Sequence, residues 1–176
     1  MTFWIAQGIG VLICLLASYG YFRKTRARFL RVQVAINILY TVEYLLLGVW
    51  SGAVANLIST AKFLSFEKDA AAGKKTTLKK SLIFCILSVV FGIAVFDGWL
   101  SVIPIFVAVM VTFSTAQENP VIIRLSFALA NVLWIAFNFA GRAYVSAVYS
   151  AVELVVSVVS LVLILKGTGC EGEENS

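Results

Sequence analysis

Seven apolar runs alternate with short polar breaks along the chain. Their length and lack of charge predict helices over residues 4–22, 29–48, 53–66, 81–96, 99–115 and 121–140, with a seventh running from Gly141-Arg142 to Lys166. The breaks carry turn chemistry. Trp50-Ser51-Gly52, Asp97-Gly98 and the segment from Gln117 to Pro120 are the expected reversals, and Pro104 sits near the start of the fifth helix, where a proline costs little. Several runs fall short of the ~20 residues that a perpendicular membrane span needs.

The seventh run departs from the others. Ser146, Ser150, Glu153, Ser157 and Ser160 fall at helical spacing and share one stripe within roughly 80°. The rest of that helix is Val, Ala, Leu and Tyr. An ionised carboxylate facing lipid costs several kcal/mol, so the stripe is expected to face protein or water.

Composition agrees with the runs. Of 176 residues, 61% are hydrophobic and 13% are charged, where a soluble domain has about a quarter charged. The absence of histidine removes the imidazole relay, most zinc sites and Ser-His or Cys-His catalysis. Cys14, Cys85 and Cys170 fit neither a disulfide framework nor a metal spacing. No cofactor, metal or catalytic residue is assigned, and the chain is not read as an enzyme. Both aspartates, Asp69 and Asp97, sit in expected loops, so an intramembrane aspartyl dyad is missing.

Charge sets the expected topology. With seven spans, thirteen of the fourteen basic residues fall on one side and Arg142 stands on the other. Positive residues collect in the cytosol. This puts the N-terminus outside, and it puts the C-terminus and the Lys-rich segment inside. The first run has no Lys or Arg before it and is followed by Arg23, Lys24, Arg26 and Arg28, so it reads as a retained span rather than a signal peptide. The basic segments could hold anionic lipid heads, although the topology rule already accounts for them. Nucleic-acid binding finds no support, and the oligomeric state is not legible.

The chain also repeats itself. Asn37-Ile38-Leu39-Tyr40 recurs as Asn131-Val132-Leu133-Trp134, an offset of 94 residues. At that offset Trp50 meets Tyr144, Ala53 meets Ala147, Asn56 meets Ser150 and Ser59 meets Glu153. The expected fold is therefore an all-α polytopic membrane protein of two parallel triple-helix bundles joined by a linker helix. The first repeat covers 1–66, a basic cytosolic linker 67–80, the linker helix 81–98, the second repeat 99–166 and an acidic tail 167–176. Parallel repeats about an axis along the membrane normal are one of the two transporter schemes.

This 3+1+3 plan resembles the SWEET and PQ-loop transporter superfamily. The run Trp134-Ile135-Ala136-Phe137-Asn138-Phe139-Ala140-Gly141, with residues 48–62 of the first half, resembles the YgjV family of bacterial inner-membrane proteins. The resemblance covers essentially the whole chain and implies a multi-pass inner-membrane protein. No PQ dipeptide occurs, and Pro104 is the only proline within a span.

Candidate chemistry follows from the paired helices. Asn37, Tyr40 and Tyr44 share a face of the second helix, and Asn131, Trp134 and Asn138 share one of the sixth. Amides beside aromatic rings bind polar solutes, and they also serve as packing glue worth about 0.6 kcal/mol each. Asn56 and Ser59 oppose Ser150 and Glu153, giving a solute pathway of Asn37, Tyr40, Asn56, Ser59, Asn131, Trp134, Asn138, Ser150 and Glu153. Lys62 either pairs with Glu153, pairs with Glu43 or snorkels to the interface. The reading is a small polar solute transporter or facilitator in contact with the lipid bilayer. Its alternative is a non-transporting receptor or assembly protein on the same fold.

Overall fold

The computed structural model describes residues 1–21, 26–116 and 120–166. Arg23, Lys24, Gln117 and the acidic tail with Cys170, Glu171, Glu173 and Glu174 lie outside these residues. Seven α-helices fill the described chain: α1 Thr2–Tyr21, α2 Arg26–Leu47, α3 Trp50–Ala71, α4 Leu78–Ala94, α5 Val102–Ala116, α6 Pro120–Ala140 and α7 Tyr144–Leu165. No strand occurs among the described residues. By length and composition, α1, α2, α6 and α7 are apolar enough to cross a membrane, and α5 is a shorter apolar helix.

Burial is distributed for a lipid environment. Leu12, Leu15, Ile86, Ile93, Leu129 and Val155 point outward, while Asn37, Glu43, Asn56, Lys62, Asn131 and Asn138 are buried. In water this arrangement would expose apolar area far beyond the few hundred Å² that a soluble surface carries. In a bilayer it is the low-energy choice, because the hydrocarbon solvates the outer face and the polar groups bond to one another. Trp4, Trp50, Trp99, Phe139 and Tyr144 are exposed at the end of the bundle where the α2–α3 and α6–α7 turns lie, as in an interfacial aromatic belt.

The two hairpins repeat at the 94-residue offset. α3 and α7 have the same length and start at Trp50 and Tyr144. Val49 N–H donates to Tyr44 O (2.8 Å), and Ala143 N–H donates to Asn138 O (2.9 Å). Gly48 and Arg142 both take left-handed backbone, at φ 75° and 61°. Glycine does so freely, and arginine at a cost of about 1–2 kcal/mol.

Packing closes the helices into a ring. Its order is α1, α2, α3, α5, α6, α7 and back to α1, and α4 packs outside against α3 and α5. The offset exchanges the two junctions, since α1 against α7 corresponds to α5 against α3. At the first junction Gln7 Nε2 donates to Arg142 O (2.8 Å), and Val145 N–H donates to Gln7 Oε1 (3.1 Å), clipping α1 to the α6–α7 turn.

Several boundaries differ from the sequence expectation. Trp50-Ser51-Gly52 is the first turn of α3, and the reversal is Gly48-Val49 alone. Gly52 is small because it is crowded: a Cβ there would stand 2.8 Å from Tyr44 Cδ2 and 2.9 Å from Phe137 Cε1. α3 continues past Phe66 through Ala71 into the expected linker, where its charged end is held by Arg31–Glu67 (2.5 Å) and Lys80–Asp69 (2.7 Å) ion pairs. α4 begins at Leu78 rather than Ser81, because Thr77 caps it by accepting from Lys80 N–H (3.4 Å). A single 3-10 turn, Trp99–Ser101, precedes α5.

Candidate functional site

The ring encloses a cavity of about 150 Å³ lined by residues of all six of its helices. Asn37, Tyr40, Asn56, Ser59, Asn131, Trp134, Asn138, Ser150 and Glu153 all line it, and so does Lys62. Amides, hydroxyls and aromatic faces dominate the wall. The size compares with an engineered cavity of about 150 Å³ that holds one benzene.

Next to the hairpin turns the cavity is sealed. Tyr44, 1% exposed, donates its hydroxyl to Asn138 Oδ1 at 2.5 Å, joining α2 to α6 across the middle of the ring. These two positions are themselves related by the 94-residue offset. Tyr40 and Trp134, also related by the offset, both stack on the Tyr44 ring, at 5.9 Å and 6.4 Å between centroids. Phe137 meets Tyr44 edge-on at 5.7 Å. Three near-parallel rings and one hydrogen bond therefore form the seal, packed on Ala53 and Ala143. Among the lining residues Asn37, Asn56, Lys62 and Ser150 are buried, while Gln33, Ser59, Phe63 and Glu153 are half-buried.

Hydrogen bonds carry the seal onward. Asn138 Nδ2 donates to Ser150 Oγ (3.2 Å), which donates to Ser146 O (3.0 Å). Ser146 Oγ contacts both oxygens of Glu43, at 3.0 Å and 2.8 Å. The chain runs from α2 through α6 and α7 and returns to α2 one residue before Tyr44. Asn37 Nδ2 and Asn56 Nδ2 each donate to a carbonyl one turn back in their own helix, at Gln33 (2.7 Å) and Gly52 (2.9 Å).

Residues 4–166 match the family model Imp-YgjV, described as a bacterial inner membrane protein. The chain belongs to the Imp-YgjV family. No curated protein and no solved structure matches it.

The three ionisable side chains singled out from the sequence have separate partners in this Imp-YgjV protein. Lys62 is 5% exposed and does not snorkel. Its ammonium donates to Thr112 Oγ1 (3.3 Å) and lies 4.9 Å from the Phe63 ring centre. Thr112 spends its own proton on Ala108 O (2.5 Å), so it meets Lys62 as an acceptor. Glu43 is 0% exposed, lies outside the cavity lining and takes Ser146. Glu153 lines the cavity and accepts from Tyr149 Oη at 2.7 Å. Among the described residues Lys62 thus pairs with neither Glu153 nor Glu43. An ammonium on α3 held between α5 and its own Phe63 has turned away from the carboxylates. Among the described residues no group of three or more His, Cys, Asp or Glu could hold a metal ion.

Sequence reasoning left Tyr44, Gln33 and Tyr149 off the pathway. Each had a signal. Tyr44 lies one helical turn beyond Tyr40 and is the offset partner of Asn138, and Gln33 lies one turn before Asn37 on the same face. Tyr149 lies one turn before Glu153 and bonds to it.

Proposed function

We propose that this membrane protein is a carrier for a small polar solute, held in the central cavity between two parallel triple-helix bundles. The carrying observation is the cavity itself, where polar and aromatic positions from both hairpins converge and where the Tyr44–Asn138 bridge closes one end. A lipid-embedded protein has little reason to bury so many amides and hydroxyls around space unless something polar occupies it. In this reading all seven helices span the membrane in a 3+1+3 plan of the SWEET and PQ-loop kind, with α4 as the odd helix. The N-terminus is outside and the C-terminus in the cytosol. The bridged end then faces out, and the opposite end faces the cytosol.

Alternating access would need the bridge to break and the far ends of the hairpins to approach. The two ring junctions, α1 with α7 and α3 with α5, are the surfaces on which such rocking would turn.

Proteoliposome swelling tests the reading. Vesicles with the purified chain, transferred into isotonic glycerol, a pentose or a neutral amino acid, are expected to swell faster than empty vesicles for at least one solute, and Glu153→Gln is expected to slow that rate. Equal swelling with and without protein for every solute would refute a carrier. Swelling at the wild-type rate with Glu153→Gln would remove the carboxylate from the pathway.

A further inference from the structure

Glu43 is a group that a solute path does not require. It is 0% exposed, lies outside the cavity lining and sits on α2 one residue before Tyr44 of the seal. Three helices enclose its carboxyl. Ser146 Oγ of α7 reaches both of its oxygens, at 3.0 Å and 2.8 Å. α1 passes so close that a Cβ on Gly10 would stand 3.3 Å from Glu43 Oε1. Among titratable groups, Cys14 of α1 and Tyr40 and Tyr44 of α2 feel its charge. α7 adds Glu153, two turns beyond Ser146, while Arg142, one turn before it, is exposed. Among the described residues no cation balances a carboxylate here.

A bound proton fits that arrangement. A carboxylate has only acceptors, and Ser146 has one hydrogen for two oxygens. A neutral acid adds a donor, so one oxygen donates to Ser146 Oγ while the other accepts from it. The hydroxyl is available, because the carbonyl one turn back, Arg142 O, takes Gln7 Nε2 instead. An unpaired charge this far from water is costly, whereas the neutral acid satisfies both contacts. The offset supplies an internal control. It maps Glu43 and Ser146 onto Phe137 and Gly52, where the same contact is apolar, with a Gly52 Cβ placed 2.9 Å from Phe137 Cε1. Packing alone thus needs no carboxyl at this position.

Resting on the carrier reading, the geometry points to Glu43 as a proton-binding site that gates the bridged end. Glu43–Ser146 and Tyr44–Asn138 both tie the first half of the chain to the second, as does Gln7 with the α6–α7 turn. Parting the halves at this end breaks these ties together and brings water to Glu43, which releases its proton to that side. Resealing takes a proton back. The open form holds one proton fewer, so raising the pH favours opening and lowering it favours the seal. One proton changes the open-to-sealed ratio by up to about tenfold per pH unit.

Spin labels at Trp50→Cys and Tyr144→Cys report the opening, since these offset twins begin α3 and α7 and are exposed. In lipid nanodiscs, with the native cysteines replaced, a longer pulsed-EPR distance is expected to gain population as the pH rises, by up to about tenfold per unit. Glu43→Gln, which has no proton to release, is expected to hold one distribution at every pH, whereas Glu153→Gln keeps the dependence. Infrared spectra read the proton without any opening. The wild type at neutral pH is expected to show the carbonyl stretch of a protonated carboxyl, lost in Glu43→Gln, retained in Glu153→Gln and shifted in Ser146→Ala. A missing band, or one undiminished in Glu43→Gln, overturns the proton site. Should Glu43→Gln fail to fold, an unshifted band in Ser146→Ala does the same. A spacing that ignores pH, or follows it equally in Glu43→Gln, overturns the gate. Flux is scored separately. An opening linked to pH without solute flux overturns the carrier and leaves this assignment, whereas solute-driven swelling with no Glu43 band does the reverse.

Discussion

Tyr44→Phe isolates the seal. The substitution removes one oxygen and keeps the ring, so the stacking on Tyr40 and Trp134 and the edge contact with Phe137 survive. It also leaves Asn138 Oδ1 without the Tyr44 donor in a site where Tyr44 and Asn138 are 1% exposed each. A buried acceptor deprived of its partner costs about 1–3 kcal/mol. If the bond belongs only to the sealed form, that energy shifts the sealed-to-open ratio by about 5- to 150-fold. The reporter is Ala55→Cys, which lines the cavity but takes no part in the hydrogen-bond chain, in a background without Cys14, Cys85 and Cys170. A membrane-impermeant maleimide, added to right-side-out and inverted vesicles, is expected to label it slowly from the hairpin-turn side when Tyr44 is present. Tyr44→Phe is expected to accelerate that labelling within the stated range. Unchanged labelling from that side, together with an unchanged Tm, would show that the hydroxyl neither seals the cavity nor stabilises the fold.

Further expectations concern packing and backbone. Gly52→Ala drives a methyl against the Tyr44 and Phe137 rings and is expected to cost about 1–3 kcal/mol in chemical or thermal unfolding, whereas Gly8→Ala, with nothing within 4 Å, serves as the silent control. Gly48→Ala is expected to destabilise by about 1 kcal/mol, and Arg142→Gly to stabilise by a similar amount, because both positions hold left-handed backbone; opposite signs in one unfolding assay check the pair. Glu43→Gln keeps an acceptor for Ser146 and is expected to unfold close to wild type. Glu43→Ala leaves a void and an orphaned hydroxyl and is expected to lose roughly 2–4 kcal/mol, with equal losses for both variants counting against this account.

The sequence carried the cavity better than the boundaries. The helix-facing argument works for Asn37, Tyr40, Asn131, Trp134 and Glu153 because hydrocarbon cannot solvate amides or carboxylates, so a polar stripe in an apolar run has only one direction to point. Gly52 shows where such reasoning stops. Small and next to a turn, it reads as turn chemistry, and only the ring contacts across the bundle reveal it as a packing residue inside α3. Lys62 stayed open for a related reason. Its sequence allowed Glu153, Glu43 or the interface, and partner choice is decided by angles between helices, which bring Thr112 within reach. The offset of 94 was visible in Asn37 and Asn131 and also aligns Tyr44 with Asn138, but that these two side chains bond to each other is seen only in the structure.

That bond also shows what one chain can do that a symmetric pair of chains cannot. In a true dimer, a residue on the twofold axis meets its own copy. Tyrosine would face tyrosine, or asparagine would face asparagine, with donor and acceptor choices forced to be symmetric. A single chain escapes that constraint, because each side of the axis can mutate alone. Here one side supplies a hydroxyl donor and the other an amide oxygen. Restoring identity would be unequal in the two directions: Asn138→Tyr would crowd a second ring into this buried site, whereas Tyr44→Asn would leave space where the ring stood.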